Sequence, residues 1–220
     1  EDAIALRAAL GGAQHLLVVG AGLIGLEVAA SARTKGIEVT VVEAGPRALG
    51  RAVPAAVADL VVERHRAEGV DLRVETSVES CEPSPEGRWL ARLSDGTWLV
   101  TDVVLQAVGA TPETALAESA GLEVVDGIVV DEQQRASAPA VWAAGDCCAA
   151  PVPLLGTHQR LESWRMAHDQ AVLVAAGIRG ERRRSLPVPW FWSDQYDLTL
   201  QVAGLTAAAQ QWLRRPSSDG

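Results

Sequence analysis

The 220-residue sequence contains no run near the ~20 uninterrupted apolar residues that a membrane helix needs. It opens on Glu1 and Asp2, where a secretory signal would carry basic residues. These absences lead us to expect a soluble, cytoplasmic protein. Three cysteines, Cys81, Cys147 and Cys148, supply neither a disulfide framework nor a C-x-x-C pair. Neighbouring cysteines such as Cys147 and Cys148 seldom bridge, because the peptide between them is strained. All three read as ordinary small apolar residues. Four histidines without zinc-ligand spacing give no metal site. Positive charge is short as well: a net charge of −9 excludes nucleic acid as an expected partner. Arg179 with Arg182, Arg183 and Arg184 is a local exception, readable as a solvated loop or as a docking patch for an acidic partner. Internal repeats and low-complexity segments are missing too. No initiator Met opens the chain, and Pro216 to Gly220 trails off as a polar tail after an unfinished pattern. We therefore expect a piece of a longer protein.

What is present is 48% hydrophobic, which suits a globular enzyme rather than a disordered chain. Glu1 to Leu10 reads as a helix, and His15 to Val19 as a buried parallel strand running into glycines. A helix over Leu23 to Lys35 stops at Gly36, and Ile37 to Val42 forms a second strand closed by Glu43. This is one β-α-β unit. Pro54 opens a further helix with Val57, Leu60 and Val61 on one face, ended by Gly69. Four short β-like segments follow (Leu72 to Val74, Val78 to Cys81, Arg88 to Leu93, Thr97 to Val100), with Asp95-Gly96 as a hairpin turn. They predict a small antiparallel insert ahead of a buried strand, Val103 to Val108. Beyond it we expect a helix over Pro112 to Ala120, a hairpin at Asp126-Gly127 and a buried strand over Val141 to Ala144. A longer helix near Leu161 to Ala176 and an alternating strand through Leu198, Leu200 and Val202 complete the reading.

One segment carries chemistry. Gly20, Gly22 and Gly25 join the first strand to the first long helix in the spacing of a dinucleotide-binding loop. Gly20 allows the tight turn, Gly22 lets backbone approach a pyrophosphate, and Gly25 lets helix and strand pack closely. The pyrophosphate is expected at the helix N-terminus, against Leu23 and Ile24, where free N–H groups and the dipole favour negative charge. Glu43 stands 23 residues after Gly20, the place of an acid that binds the adenosine ribose. A carboxylate there repels a 2′-phosphate and favours NADH over NADPH. Arg47 and Arg51 follow closely and moderate that preference.

Several ordered motifs extend the reading: GAGLIGLE (Gly20 to Glu27), VGATPETALA (Val108 to Ala117), VWAAGDC (Val141 to Cys147), RLESWRMAHDQ (Arg160 to Gln170) and PWFWSDQ (Pro189 to Gln195). Through them Glu1 to about Leu205 resembles the NADH-dependent ferredoxin reductases of aromatic oxygenase and cytochrome P450 systems. These belong to the two-dinucleotide-fold flavoproteins, with rubredoxin reductase and apoptosis-inducing factor. The resemblance implies NAD(H) on Gly20, Gly22, Leu23, Ile24, Gly25, Glu43 and Gly109. It implies FAD on Gly145, Asp146, Glu162, Trp164 and Trp192, with Asp146 on the ribityl chain. Trp192 would lie between flavin and ferredoxin, and Glu27 beside the nicotinamide. From the residues alone, Glu27 is equally an exposed helical acid, and Trp164 and Trp192 equally core aromatics. Met166 departs from the Asn usual in that family, and only one glycine motif is present where the family has a second, N-terminal FAD unit. No C-x-x-C pair stands by the flavin segment, which counts against a disulfide reductase.

The implied fold class is α/β: a Rossmann-like parallel sheet with an antiparallel β insert, part of a second, FAD-binding Rossmann-like domain, and the start of an α+β C-terminal domain. The expected boundaries are 1–111, 112–186 and 187–220. The implied function is hydride transfer from NADH to FAD, then single electrons to a [2Fe–2S] ferredoxin, with orientation and electrostatics supplied by the protein. Three rival readings stay open: an NADH-binding module without turnover, a redox-sensing interaction protein similar to apoptosis-inducing factor, and a flavin reductase or oxidase.

Overall fold

A computed structural model describes residues 1–153, 155–181, 187–206 and 209–215. Arg182, Arg183 and Arg184 of the arginine run and the tail 216–220 lie outside the described residues. The chain divides into two units. The first comprises Glu1–Gly109, Ser193–Leu200 and the described residues of 209–220, the second Ala110–Trp192 and the described residues of 201–208.

The first unit opens with helix α1 (Asp2–Ala9), strand β1 (His15–Val19), helix α2 (Leu23–Thr34) and strand β2 (Glu38–Val42). Helix α3 (Ala55–Ala67), strand β3 (Asp71–Arg73), strands β4 (Val78–Pro83), β5 (Trp89–Leu93) and β6 (Trp98–Thr101), and strand β7 (Val103–Gln106) follow. Its parallel sheet has the order β3-β2-β1-β7, with Leu17 opposite Thr40 and Val104. The order reverses direction at β1, which is where open parallel sheets bind ligands, at the carboxyl ends of their strands. Strands β4, β5 and β6 form the expected antiparallel insert. Ala91 and Leu93 of the insert pack on Leu17 and Val42 of the parallel sheet, so the insert covers apolar sheet surface.

Three expectations for this unit need correction. The first β-like segment, around Leu72, does not join the insert; as β3 it adds to the edge of the parallel sheet, because Thr40, Val41 and Val42 offer it a free ladder. Leu60 is exposed, and the buried stripe of α3 is Ala58, Val61 and His65, at spacings of three and four. The last strand ends at Gln106, and Val108 is exposed.

The second unit holds helix α4 (Ala115–Ser119), strands β8 (Ile128–Val129), β9 (Cys148–Val152) and β10 (Thr157–Gln159), and helix α5 (Trp164–Ile178). Its sheet has the order β10-β9-β8. Helix α5 is capped by Ser163, whose Oγ accepts the Met166 N–H at 3.2 Å, and it buries Met166, Gln170, Leu173 and Ala176. Here α4 is shorter than expected, starting only at Ala115 after Thr114 at its N-cap. The Asp126-Gly127 turn forms, with φ of 44° and 125°, yet it closes only an isolated bridge, and β8 pairs in parallel with β9. Val141 to Ala144 is not a strand; a single bridge ties Trp142 to Arg135. The buried strand is β9, just beyond it. Its Cys-Ala-Ala-Pro-Val composition carries little β-branched signal. Strand β11 (Trp190–Gln195) and strand β12 (Leu198–Ala203) form a hairpin whose residues 193–200 count with the first unit.

Among the described residues no helix is long and apolar enough to cross a membrane, and no group of three or more His, Cys, Asp or Glu could hold a metal ion.

Candidate functional site

The three glycines of the loop after β1 answer to three different demands. Gly20 has φ of 103°, and a Cβ on it would lie 2.5 Å from the Ala107 carbonyl oxygen. A Cβ on Gly25 would lie 2.2 Å from the Gly20 carbonyl oxygen, so α2 and β1 touch only because that atom is missing. Gly22 is different. Its backbone is extended, with φ of −78°, and a Cβ there would meet nothing within 4 Å. Gly22 is also the N-cap of α2, where no side chain caps the helix and no acid occupies the first turn. The first N–H groups of α2 thus have no side-chain cap, and the helix dipole there favours an anion. Leu23 and Ile24 form that first turn, with Ile24 69% exposed. Gly109, with φ of 104°, follows β7 on the same edge of the sheet.

Glu43 follows β2 and turns both carboxylate oxygens to the backbone. Oε2 accepts the Ala21 N–H at 2.9 Å and Oε1 the Gly45 N–H at 2.8 Å. It thus clamps the glycine loop from the side, and each oxygen retains a second lone pair. Arg47 is committed to its own loop, donating to the Val53 and Gly50 carbonyls at 3.0 and 2.8 Å. Arg51 instead reaches toward Gly109.

Glu27 lies one turn further along α2 and is half-buried. Its Oε1 accepts the Ser193 hydroxyl at 2.6 Å. The Gln195 amide donates to Ser193 Oγ at 2.9 Å, and Gln195 Oε1 lies 2.8 Å from His65 Nε2. Ser193, Gln195 and His65 are buried. Burial pushes the His65 imidazole below its ordinary value, against the opposing pull of the Gln195 hydrogen bond.

In the second unit Gly145 turns the chain with φ of 84°, and its N–H donates to the buried Gln170 Oε1 at 2.6 Å. That bond ties the Gly145-Asp146 turn to the inner face of α5 and leaves the Asp146 side chain exposed. Glu162 is exposed and pairs with Arg160 at 2.5 Å. Trp164, in the first turn of α5, is 70% exposed, stacks on His168 and meets Trp192 edge-on at 6.2 Å between ring centroids. Trp192 is 41% exposed and stacks on Trp190 at 5.3 Å. These tryptophans are surface aromatics rather than core. Met166 is buried on the packed face of α5, so an apolar side chain suits its position.

Ser193, Gln195, His65 and Gln170 carry no functional signal of their own in the sequence. Ser193, Gln195 and Gln170 sit inside quoted motifs, but their partners are 130 or more, and 25, residues away, a distance that periodicity does not report.

Comparison with known proteins decides the family. The model of the pyridine nucleotide-disulphide oxidoreductases matches residues 1–171, and that of the reductase C-terminal region matches 190–220. The chain belongs to the pyridine nucleotide-disulphide oxidoreductase family. Rhodocoxin reductase of Rhodococcus erythropolis is 40% identical over 218 residues, which is 99% of this chain and 51% of that protein. The ferredoxin reductase for the CYP199A2 system of Rhodopseudomonas palustris superposes with a TM-score of 0.92 at 39% identity, over 97% of this chain and 53% of that one. Putidaredoxin reductase, in its covalent complex with putidaredoxin, gives a TM-score of 0.90 at 38% identity, over 96% and 51%. The chain thus spans about half the length of these relatives.

Oxidoreductases of this family work with FAD and NAD(H). The first unit fits a dinucleotide: the space over Gly22 borders an uncapped helix N-terminus, and Glu43 has acceptor capacity left beside it. The second unit fits a flavin in its polar and aromatic groups, the exposed Asp146 after a glycine turn and the exposed Trp164 and Trp192.

Proposed function

We propose that the chain is the NADH-binding part, with an adjoining portion of the FAD-binding part, of an NADH:ferredoxin oxidoreductase. The carrying observation is the glycine loop, with open space over Gly22 and Glu43 beside it, in a chain similar throughout to ferredoxin reductases. When bound, NADH and FAD supply hydride transfer to the flavin and single-electron delivery to an acceptor, read here as a [2Fe–2S] ferredoxin. The remaining work falls to the side chains and backbone of this chain. The N–H groups of Leu23 and Ile24 bind the pyrophosphate, and Glu43 accepts from the ribose hydroxyls. Glu27 orients the nicotinamide, Asp146 holds the flavin's ribityl chain, Glu162 and Trp164 lie by its ring system, and Trp192 stands between the flavin and the ferredoxin side. The reading of residues 1–111, 112–186 and 187–220 as NAD domain, returning FAD segment and start of a third domain goes with this proposal. Similarity to reductases named for their ferredoxins favours it over an NADH-binding module without turnover.

An anaerobic visible spectrum of the protein with FAD, before and after NADH, tests it. Flavin bands that stay with the protein and bleach on NADH are expected. Retained flavin that NADH leaves oxidised overturns the reductase reading, and absence of any NADH binding overturns the nucleotide site itself.

A further inference from the structure

The PWFWSDQ segment matters for more than its two tryptophans. Ser193 and Gln195 alternate along β11, so both side chains fall on one face, and both are buried. Three hydrogen bonds in series run through them, from His65 on α3 to Glu27 on α2. The polarity of this chain is fixed from its end. Glu27 as a carboxylate only accepts, so the single Ser193 proton goes to it. Ser193 Oγ then has only lone pairs to offer Gln195, which must present its NH2 group. That turns Gln195 Oε1 to His65, whose Nε2 must carry the ring proton. The unpartnered buried Nδ1 of His65 agrees with this tautomer, as it has no donor role to fill. Flipping the Gln195 amide would take the Ser193 proton from Glu27 and leave lone pairs facing a carboxylate.

The anchor of the series is well held. The His65 ring meets Tyr196 edge-on at 5.0 Å, and Arg64 lies over Tyr196 at 4.9 Å while pairing with Asp197 at 2.7 Å. Tyr196 and Asp197 of the hairpin turn and Arg64 and His65 of α3 thus stand together behind one half-buried acid. Bonds aligned in one sense strengthen each other, and the last of them is charge-assisted. A glutamate on a helix surface has three rotatable bonds, whereas one bound to a buried strand hydroxyl has a single orientation.

We infer that Ser193 and Gln195 are positioning residues for Glu27, fixing its carboxylate for the nicotinamide-side role, an inference that rests on the function proposed above. A bland alternative is that the series merely satisfies buried polar groups and fastens the hairpin to α3. The two differ in whether Ser193 acts through Glu27.

The test is a double-mutant cycle in the holoenzyme, with Ser193→Ala, Glu27→Ala and the pair. Two readouts are taken: the anaerobic rate constant of flavin reduction by NADH, and the calorimetric dissociation constant of NAD+, which requires no turnover. Ser193→Ala is expected to slow reduction about tenfold, the scale of one lost hydrogen bond to a charged group. It should have no further effect once Glu27 is Ala, in either readout. Ser193→Thr keeps the donor and should restore the parent behaviour. If Ser193→Ala does not fold, Ser193→Cys, of similar shape with a weak donor, carries the same cycle. Equal losses from Ser193→Ala in both backgrounds, or no loss while Glu27→Ala is slow, overturn the positioning role and leave Glu27 where it was proposed. Silence of Glu27→Ala in both readouts removes the nicotinamide-side role of Glu27 and this inference with it.

Discussion

Glu43→Gln separates the two jobs that one carboxylate performs. In the native protein both oxygens accept backbone N–H groups, at 2.9 and 2.8 Å, one from the glycine loop and one from the turn after β2. An amide of the same shape has one oxygen, so one N–H keeps a neutral partner and the other faces an NH2 group. Bonds to charged groups are worth about 1.5–3 kcal/mol each and neutral ones about 1. Ala21 is fully buried, so its N–H cannot turn to water, while Gly45 is only half-buried. With solvent screening at this half-buried site, the net loss comes to about 2 kcal/mol. That corresponds to a fall in Tm of about 4–8 °C for a chain of this length. Nucleotide selectivity should move separately. Losing the charged acceptor should weaken NAD+ about tenfold, one hydrogen bond's worth. NADP+ should gain, because the repulsion between a 2′-phosphate and Glu43, about 1 kcal/mol or more at contact in water, disappears. Calorimetric titrations with NAD+ and NADP+ beside a thermal melt measure both. A lowered Tm with an unchanged NAD+/NADP+ ratio would show that Glu43 only clamps the loop and is not at the ribose. An unchanged Tm would refute the clamp. Glu43→Arg should carry the selectivity further, to preference for the phosphorylated nucleotide.

Gly22→Val should leave the melt within about 0.5–1 kcal/mol of the parent, since the added atoms enter open space, yet lose nucleotide binding by about 30-fold or more; tight binding by the folded variant sinks the loop assignment. Gly25→Ala should do the reverse damage, costing about 3 kcal/mol or more of stability because its Cβ meets backbone at 2.2 Å. Burial lowers the titration of His65 and His15 from the ordinary 6.5, so the unfolded chain takes up protons first. Stability is full above pH 6.5 and should fall as pH drops below it, by up to about 1.4 kcal/mol per pH unit for each histidine; urea midpoints across pH 7 to 5 check this, and His65→Gln should flatten part of the slope. Cys148 is fully buried with its thiol pushed up to about 12, chiefly by burial, and should resist alkylation until the protein unfolds, whereas the exposed Cys81 reacts in the native state. Mass spectrometry of the labelled protein distinguishes the two.

The sequence was legible where local chemistry decides and silent where partner choice does. Gly20, Gly22, Gly25 and Glu43 could be read because strand, turn, helix and acid follow within 29 residues, His15 to Glu43, and each local preference agrees with the next. Strand β3 was legible as a strand but not as a parallel one, since only the free edge of β2 decides that. Val141 to Ala144 carries an apolar pattern and is no strand, while the small residues of β9 form the buried strand of its unit. Composition ranks these two segments the wrong way round because the ladder available to each lies elsewhere in the chain. The series behind Glu27 was wholly hidden. Ser193 and Gln195 are 166 and 168 residues from Glu27, and nothing in either segment specifies the other.

The same contrast tells which motif residues speak of a ligand. Gly20 and Gly25 are required by the fold, one by its positive φ and the backbone beside it, the other by the contact of α2 with β1. Any protein with this strand–helix junction needs them, so they are weak evidence of binding. Gly22 is required by nothing in the chain: its backbone suits any residue, and its Cβ direction is empty. Ile24 and Trp164 pose the same question from the apolar side, as large side chains about 70% exposed in the first turns of the two helices α2 and α5. Single exposed apolar residues are ordinary on protein surfaces. Here they recur at helix N-termini that follow the dinucleotide loop and the proposed flavin segment. A side chain that the fold leaves unexplained at such a position is better evidence of a bound group than one the fold already demands. By that measure Gly22→Val is the sharper test of function, because it alters the space left for the ligand and leaves the junction itself untouched.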